Sequence, residues 1–220
     1  MGSITRSFAN NITTSGVLLP ASLNNNSIAN VTAYNASVAT GGMKLISTQT
    51  ASNSASISFT TGIDSTYKEY QFWFIDIAPR TDGVRLTSQF STDGGSNYGV
   101  TTTSTAFFAL QREDGTGTGL LYSTDSDVAQ STSFFPILAD VLDNQSDSSL
   151  AGTLTLFNPS STTYVKHFIA NNSSVGSSSP NYNFNGFVAG YGNTTSAINA
   201  VQFKMSSGNF DGTILMYGIV

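Results

Sequence analysis

Short runs in which apolar residues recur at every second position constrain this chain most, and the clearest lies at its end, in Ala197 to Val220, AINAVQFKMSSGNFDGTILMYGIV. Strand side chains alternate between faces, so Val201, Phe203 and Met205 share one face while Gln202 and Lys204 take the other. That is the pattern of a half-buried edge strand. Ser206 to Asn209 interrupt it, and Asp211-Gly212 tolerates positive φ, which predicts a chain reversal there. The return strand, Thr213 to Ile219, has Ile214 and Met216 on one face and Leu215, Tyr217 and Ile219 on the other. Both faces being apolar, it calls for an interior place, and the two runs read as a β-hairpin.

The same grammar recurs upstream. Strands are predicted over Lys44 to Thr48, Ala55 to Thr60, Tyr67 to Ala78 and Gly83 to Ser91. In Tyr67 to Ala78, Tyr70, Phe72 and Phe74 oppose Trp73, Ile75 and Ile77, so burial on both sides is expected up to Pro79. In Gly83 to Ser91, Val84, Leu86 and Phe90 point inward and Arg85, Thr87 and Gln89 outward. Further strands are expected over Thr105 to Arg112, Gly119 to Ser123, Phe134 to Val141, Leu150 to Phe157, Thr163 to Ala170 and Phe184 to Tyr191. Asp140, Asp143 and Asp147 fall in a connecting loop. No amphipathic helix longer than a couple of turns competes. The expected fold is all-β, a jelly-roll-like antiparallel β-sandwich over residues 43–220.

Residues 1–42 read differently. After Arg6 no charge occurs until Lys44, and isolated apolar residues such as Phe8, Leu18 and Ile28 follow neither period. An extended N-terminal arm that anchors the chain or joins copies of it is expected, with a tail as the alternative and Gly41-Gly42 as the junction.

Charged residues make up only 10% of the chain against 39% hydrophobic, and the net charge is -5. Lys and Arg stand singly, so the basic stripe that a nucleic-acid binder needs is missing, and no nucleic-acid partner is expected. Without cysteine there is neither a disulfide framework nor a thiolate metal site. No run reaches the roughly 20 apolar residues of a membrane helix, so no membrane insertion is expected. Pro20 cuts the short apolar run Gly16 to Leu19, so no signal peptide is expected either.

Candidate chemistry is sparse. His167, the single histidine, alternates with Val165 and Ile169 in a strand pattern, which favours a structural role over that of a general base. Glycoside hydrolysis needs two carboxylates within roughly 10 Å, and the two glutamates, Glu69 and Glu113, are distant in sequence. Asp125 and Asp127 could share a calcium ion, but no Asp-rich loop of full EF-hand form follows, which favours a plain turn. No catalytic residue, metal or cofactor is therefore expected. Tyr98 and Tyr122 lie in or beside Gly-rich loops where rings could stack on a sugar or staple a loop end. Asp93, Asn97 and Tyr98, in Asp93-Gly94-Gly95-Ser96-Asn97-Tyr98, are the candidate ligand-binding residues.

Four stretches carry a resemblance: Met43 to Thr50 (MKLISTQT), Ser65 to Tyr70 (STYKEY), Ser91 to Tyr98 (STDGGSNY) and the close Met216-Tyr217-Gly218-Ile219. Together they resemble a family of virion structural proteins of tailed bacteriophages, especially those of aquatic phages, over about residues 43–220. The resemblance implies a non-enzymatic tail fibre or receptor-binding appendage on the particle surface, assembled in the host cytoplasm. It also implies other virion proteins as partners through the arm, homo-oligomerisation with a trimer as the usual form, and a host surface glycan or protein as ligand. A capsid decoration or head fibre protein and a glycan-cleaving tailspike are the alternatives.

Overall fold

The computed structural model describes residues 42–176 and 181–219. The chain divides into Met1–Gly41 and Gly42–Val220, and the expected arm lies outside the described residues. In chain order the strands of the second unit are β1 (Met43–Ser54), β2 (Ile57–Phe59), β3 (Glu69–Pro79), β4 (Leu86–Ser91), β5 (Thr102–Arg112), β6 (Thr118–Tyr122) and β7 (Val128–Ser131). Then come β8 (Phe135–Pro136), β9 (Leu150–Phe157), β10 (Lys166–Gly176), β11 (Tyr182–Gly192), β12 (Ala200–Met205) and β13 (Phe210–Ile219). The large sheet runs β1-β13-β3-β9-β10-β11-β5-β6, with β7 also on β5, and the small one runs β2-β12-β4-β8. Every pairing is antiparallel, and the chain crosses repeatedly between the sheets, giving the jelly-roll-like sandwich that the alternation predicts.

The closing hairpin is where the expectation fails. β12 pairs with β2 and β4, whereas β13 pairs with β1 and β3 in the other sheet. Ser206 to Asn209 is thus a crossover between layers, and β12 is an interior strand rather than an edge. Its face Val201, Phe203 and Met205 is buried. The Phe203 ring lies 5.2 Å from those of Phe72 and Phe74 and 6.2 Å from Phe59. The edge-on contacts with Phe72 and Phe74 join the two layers, each contributing about 1 kcal/mol beyond burial alone, and Phe59 flanks them from the small sheet.

Asp211-Gly212 does not turn the chain but lies inside β13, between β-bulges of its two neighbours. The extra residues stand side by side, after Ala51 in β1 and after Phe74 in β3, with Asn53 at φ 52° and Asp76 at φ 51°. The Asp211 carboxylate ties the bulges together. It accepts from Nε and Nη2 of Arg80, at 2.7 and 3.0 Å, and from the Asn53 amide at 2.8 Å. A Cβ at Gly212 (φ 128°) would collide with the Asp76 carbonyl and Ile77, so the close approach of the two bulges requires glycine.

The bulge in β3 also corrects the reading of that strand. Tyr70, Phe72 and Phe74 are buried as expected, but Trp73 and Ile75 are 37% and 40% exposed, while Ile77 is fully buried. The extra residue at Asp76 turns Ile77 onto the inner face. β4 departs the other way: all six residues are buried, including Thr87 and Gln89. Residues 132–134 cover their face, and Gln89 Nε2 donates to the carbonyls of Thr132 and Ser133 at 2.9 and 2.8 Å.

Most of the strand expected over Phe134 to Val141 is instead a buried irregular plug. Only Phe135–Pro136 is strand, yet Phe135, Ile137, Leu138, Ala139 and Leu142 are all fully buried. The plug covers the part of the large sheet that the narrower small sheet does not reach. Phe135 stacks on Phe168 of β10 at 4.8 Å, and Ala139 would touch a Cβ at Gly186 of β11. Several of its polar groups find partners, as buried backbone requires. Ile137 N–H donates to Leu86, Asn172 Nδ2 donates to the Ile137 carbonyl at 2.6 Å, and the Tyr182 hydroxyl donates to Asp140 at 2.9 Å. Burial first, and then the Asp140 carboxylate, push the Tyr182 phenol up to about 12.

Phe203→Ala should lower stability by about 3–5 kcal/mol, the usual cost of emptying an aromatic site in a packed core. Chemical denaturation measures it, and an unchanged midpoint would remove Phe203 from the joint between the sheets.

Candidate functional site

The outer face of the large sheet is the surface that the fold leaves open, and its chemistry follows from strand register. Across β5, β11 and β10, Thr103, Tyr191 and His167 form one row, and Thr105, Ala189 and Ile169 the next. Beyond lie Phe107, Phe187 and Asn171, with Phe107 and Phe187 stacked at 5.1 Å. Along β11 the outward series is therefore Phe187, Ala189, Tyr191, a small residue between two rings. The dent over Ala189 is a cleft of about 510 Å³, walled by Tyr191, His167, Phe157, Ile169, Thr103 and Thr105.

Hydrogen bonds fix its rim. Gln130, at φ 49° in β7, donates through Nε2 to Thr103 Oγ1 at 2.7 Å and to the Tyr191 hydroxyl at 3.5 Å, and accepts from Asn193 Nδ2 at 2.9 Å. The His167 and Tyr191 rings are 6.1 Å apart and tilted by 58°, so neither covers the face of the other. Below the rim, the buried Lys166 donates to the carbonyls of Tyr164 and Thr194 at 2.7 and 3.1 Å and braces the loops that flank the cleft. Burial lowers its ammonium pKa from the ordinary value.

His167 lies on β10, as its alternation with Val165 and Ile169 predicts, and is exposed in the wall of the cleft. Charge is sparse nearby: on the outward positions of β9, β10, β11 and β5 no Lys, Arg, Asp or Glu occurs, while Glu69 of β3 stands opposite Phe157 in the cleft wall. Amide and hydroxyl groups fill the space between the rings. Asn185 Nδ2 donates to Asn171 Oδ1 at 2.8 Å, and Trp73 Nε1 to Gln71 Oε1 at 2.6 Å. Aromatic faces beside neutral donors and acceptors suit a ligand that is itself uncharged and rich in hydroxyls.

The loop candidates are arranged differently. Asp93 Oδ1 accepts from the Ser91 hydroxyl at 2.6 Å and the Asn97 amide at 2.9 Å, while Oδ2 accepts from Asn97 Nδ2 at 2.6 Å. Asp93 and Asn97 so staple their own turn, and both line a polar cleft of about 330 Å³ with Thr92, Thr101, Asn193 and Thr194. Tyr98 turns away from that cleft, its ring 6.4 Å from Phe134 and its hydroxyl buried near Gly95.

The other acids also have places. Asp125 faces Arg85 at 3.8 Å, and Asp127 accepts from the Tyr122 hydroxyl at 2.6 Å. Glu69 in β3 and Glu113 beyond β5 are separated by four strand spacings, roughly 19 Å at about 4.8 Å each. That exceeds the span of a glycosidase pair.

Comparison of the chain with protein-family models, curated proteins and solved structures gives no match.

The Ser91 hydroxyl first, and then the Asn97 amides, hold the Asp93 carboxyl down at about 2, from 3.8. A carboxyl depressed in the folded state supports the fold above its unfolded pKa and loses that support as pH falls through the folded one. The turn should therefore keep its bonds above pH 3.8 and release them as pH falls to about 2. The Asn97 amide resonance, followed through an acid titration, should move with that low midpoint and stay still in Asp93→Ser. A midpoint near 3.8 would show that these bonds do not hold the turn.

Proposed function

We propose that this chain is a non-enzymatic structural protein of a tailed-phage virion, a tail fibre or receptor-binding appendage exposed on the particle surface, whose cleft holds a neutral glycan of the host. The cleft carries the reading: Tyr191 and His167 offer ring faces over a small Ala189 floor, Thr103 and Thr105 add neutral hydroxyls, and Gln130 holds Thr103 and Tyr191 in place. A pyranose presents an apolar face and a belt of hydroxyls, which such a wall matches without any charge. The resemblance of residues 43–220 to virion structural proteins supplies the setting, and the rigid antiparallel scaffold suits a display role.

Titration of the full chain with neutral oligosaccharides from the host surface should show binding, and Tyr191→Ala should weaken it at least about tenfold, a loss of about 1.4 kcal/mol. The oligosaccharides should keep their length on long incubation; shortened chains would make the protein a tailspike enzyme. Binding that is absent from wild type, or indifferent to Tyr191, would sink the glycan assignment. Cryo-microscopy of intact particles tests the setting separately, with density at the tail expected. Density on capsid capsomers alone would make the chain a decoration protein.

A further inference from the structure

Away from the cleft, exposed apolar side chains concentrate on β6 at one edge of the large sheet. Leu120, Leu121 and Tyr122 are 74%, 46% and 55% exposed. Tyr122 lies opposite the exposed Phe107 of β5. Because consecutive residues point to opposite faces, Leu120 and Leu121 make both sides of this strand apolar. Among the described residues no strand pairs with β6 on the side away from β5. Edge strands are ordinarily blunted by charge, proline or a bulge. Thr118–Tyr122 has none of these, so it offers a backbone ladder with apolar side chains above and below.

We propose that this edge seats the β1 edge of a second copy of the chain, head to tail, so that the large sheets of neighbouring copies run on into one another. Charge selects the partner. Acids flank β6 at both ends, Glu113 and Asp114 before it and Asp125 and Asp127 after it. Two β6 edges set antiparallel would bring these groups against each other, the like-charge opposition that disfavours a strand pair. The opposite edge of the same sheet avoids that opposition. β1 contains no acid, exposes Met43 and Leu45 beside Lys44, and has the exposed Lys68 at the same end of the sheet. Asp64 near Lys44 and Glu69 beside Lys68 balance these two cations, so the β1 edge is close to neutral and spares the acids of β6 the opposition that a β6 pair would bring. Among the described residues β1 has one neighbour in the large sheet, β13, so its other side is open to a strand. A head-to-tail contact closes into a ring or continues as a filament, and three copies make the smallest ring. The inference does not depend on what fills the cleft.

Sedimentation velocity of the full chain, at about 100 μM so that a micromolar contact is filled, should give a mass above that of one copy. Leu120→Lys and Leu45→Lys, both at exposed positions and checked for unchanged thermal unfolding, should each raise the dissociation constant by about thirtyfold, as loss of a central apolar anchor does. Mixing the two variants restores one intact contact, the β1 edge of the first with the β6 edge of the second, so the mixture should sediment as a pair while each alone does not. A wild-type chain that sediments as one copy overturns the proposal. So does either variant keeping the wild-type mass, or a mixture that forms no pair.

Discussion

The meeting of Phe203 with Phe59, Phe72 and Phe74 holds two sheets of very different width together, and the remaining architecture accommodates that mismatch. A narrow sheet can cover only part of a wide one. The uncovered inner face must be sealed from water by something other than strand, and residues 135–142 provide the seal. The plug is irregular because it fits a gap rather than extending a ladder, and its carbonyls and amides are met by Asn172, Leu86 and Val84. Gly152, opposite Asn172, completes the fit, since a Cβ there would strike the Asn172 side chain that reaches the plug.

The paired bulges of β1 and β3 on either side of β13 set a second constraint. Each bulge costs ladder hydrogen bonds, but two side by side let neighbouring strands bend together. Asp211 keeps them coordinated through Arg80 and Asn53. The bend brings Ile77 back to the core and leaves Trp73 and Ile75 outside, so the outer face gains aromatic character that alternation alone assigns to the interior.

Much of this was legible from residues alone. Leu150–Phe157 stands where its alternation puts it, and the burial of Tyr70, Phe72, Phe74 and Phe203 follows from their spacing. Pairing was not legible, because Ser206 to Asn209 serves a crossover as well as a hairpin, and the choice is made by β1, β2, β3 and β4 far upstream. The cover over Thr87 and Gln89 was hidden for the same reason, since it comes from residues 132–134. The cleft left one faint signal, Ala189 between Phe187 and Tyr191. Only the assembled sheet shows that this series faces outward and lies beside His167 and Thr103. Of the loop trio, Asp93 and Asn97 explain each other through their own hydrogen bonds, and Tyr98 packs against its neighbours.

The near absence of charge on the cleft-bearing face has a further consequence. Dissolved ions act on exposed charges through screening, over about 10 Å at 0.1 M ionic strength. A wall of tyrosine, threonine and amide groups offers them little to screen beyond Glu69 opposite Phe157. Contacts made there keep nearly the same strength in fresh water and in brine.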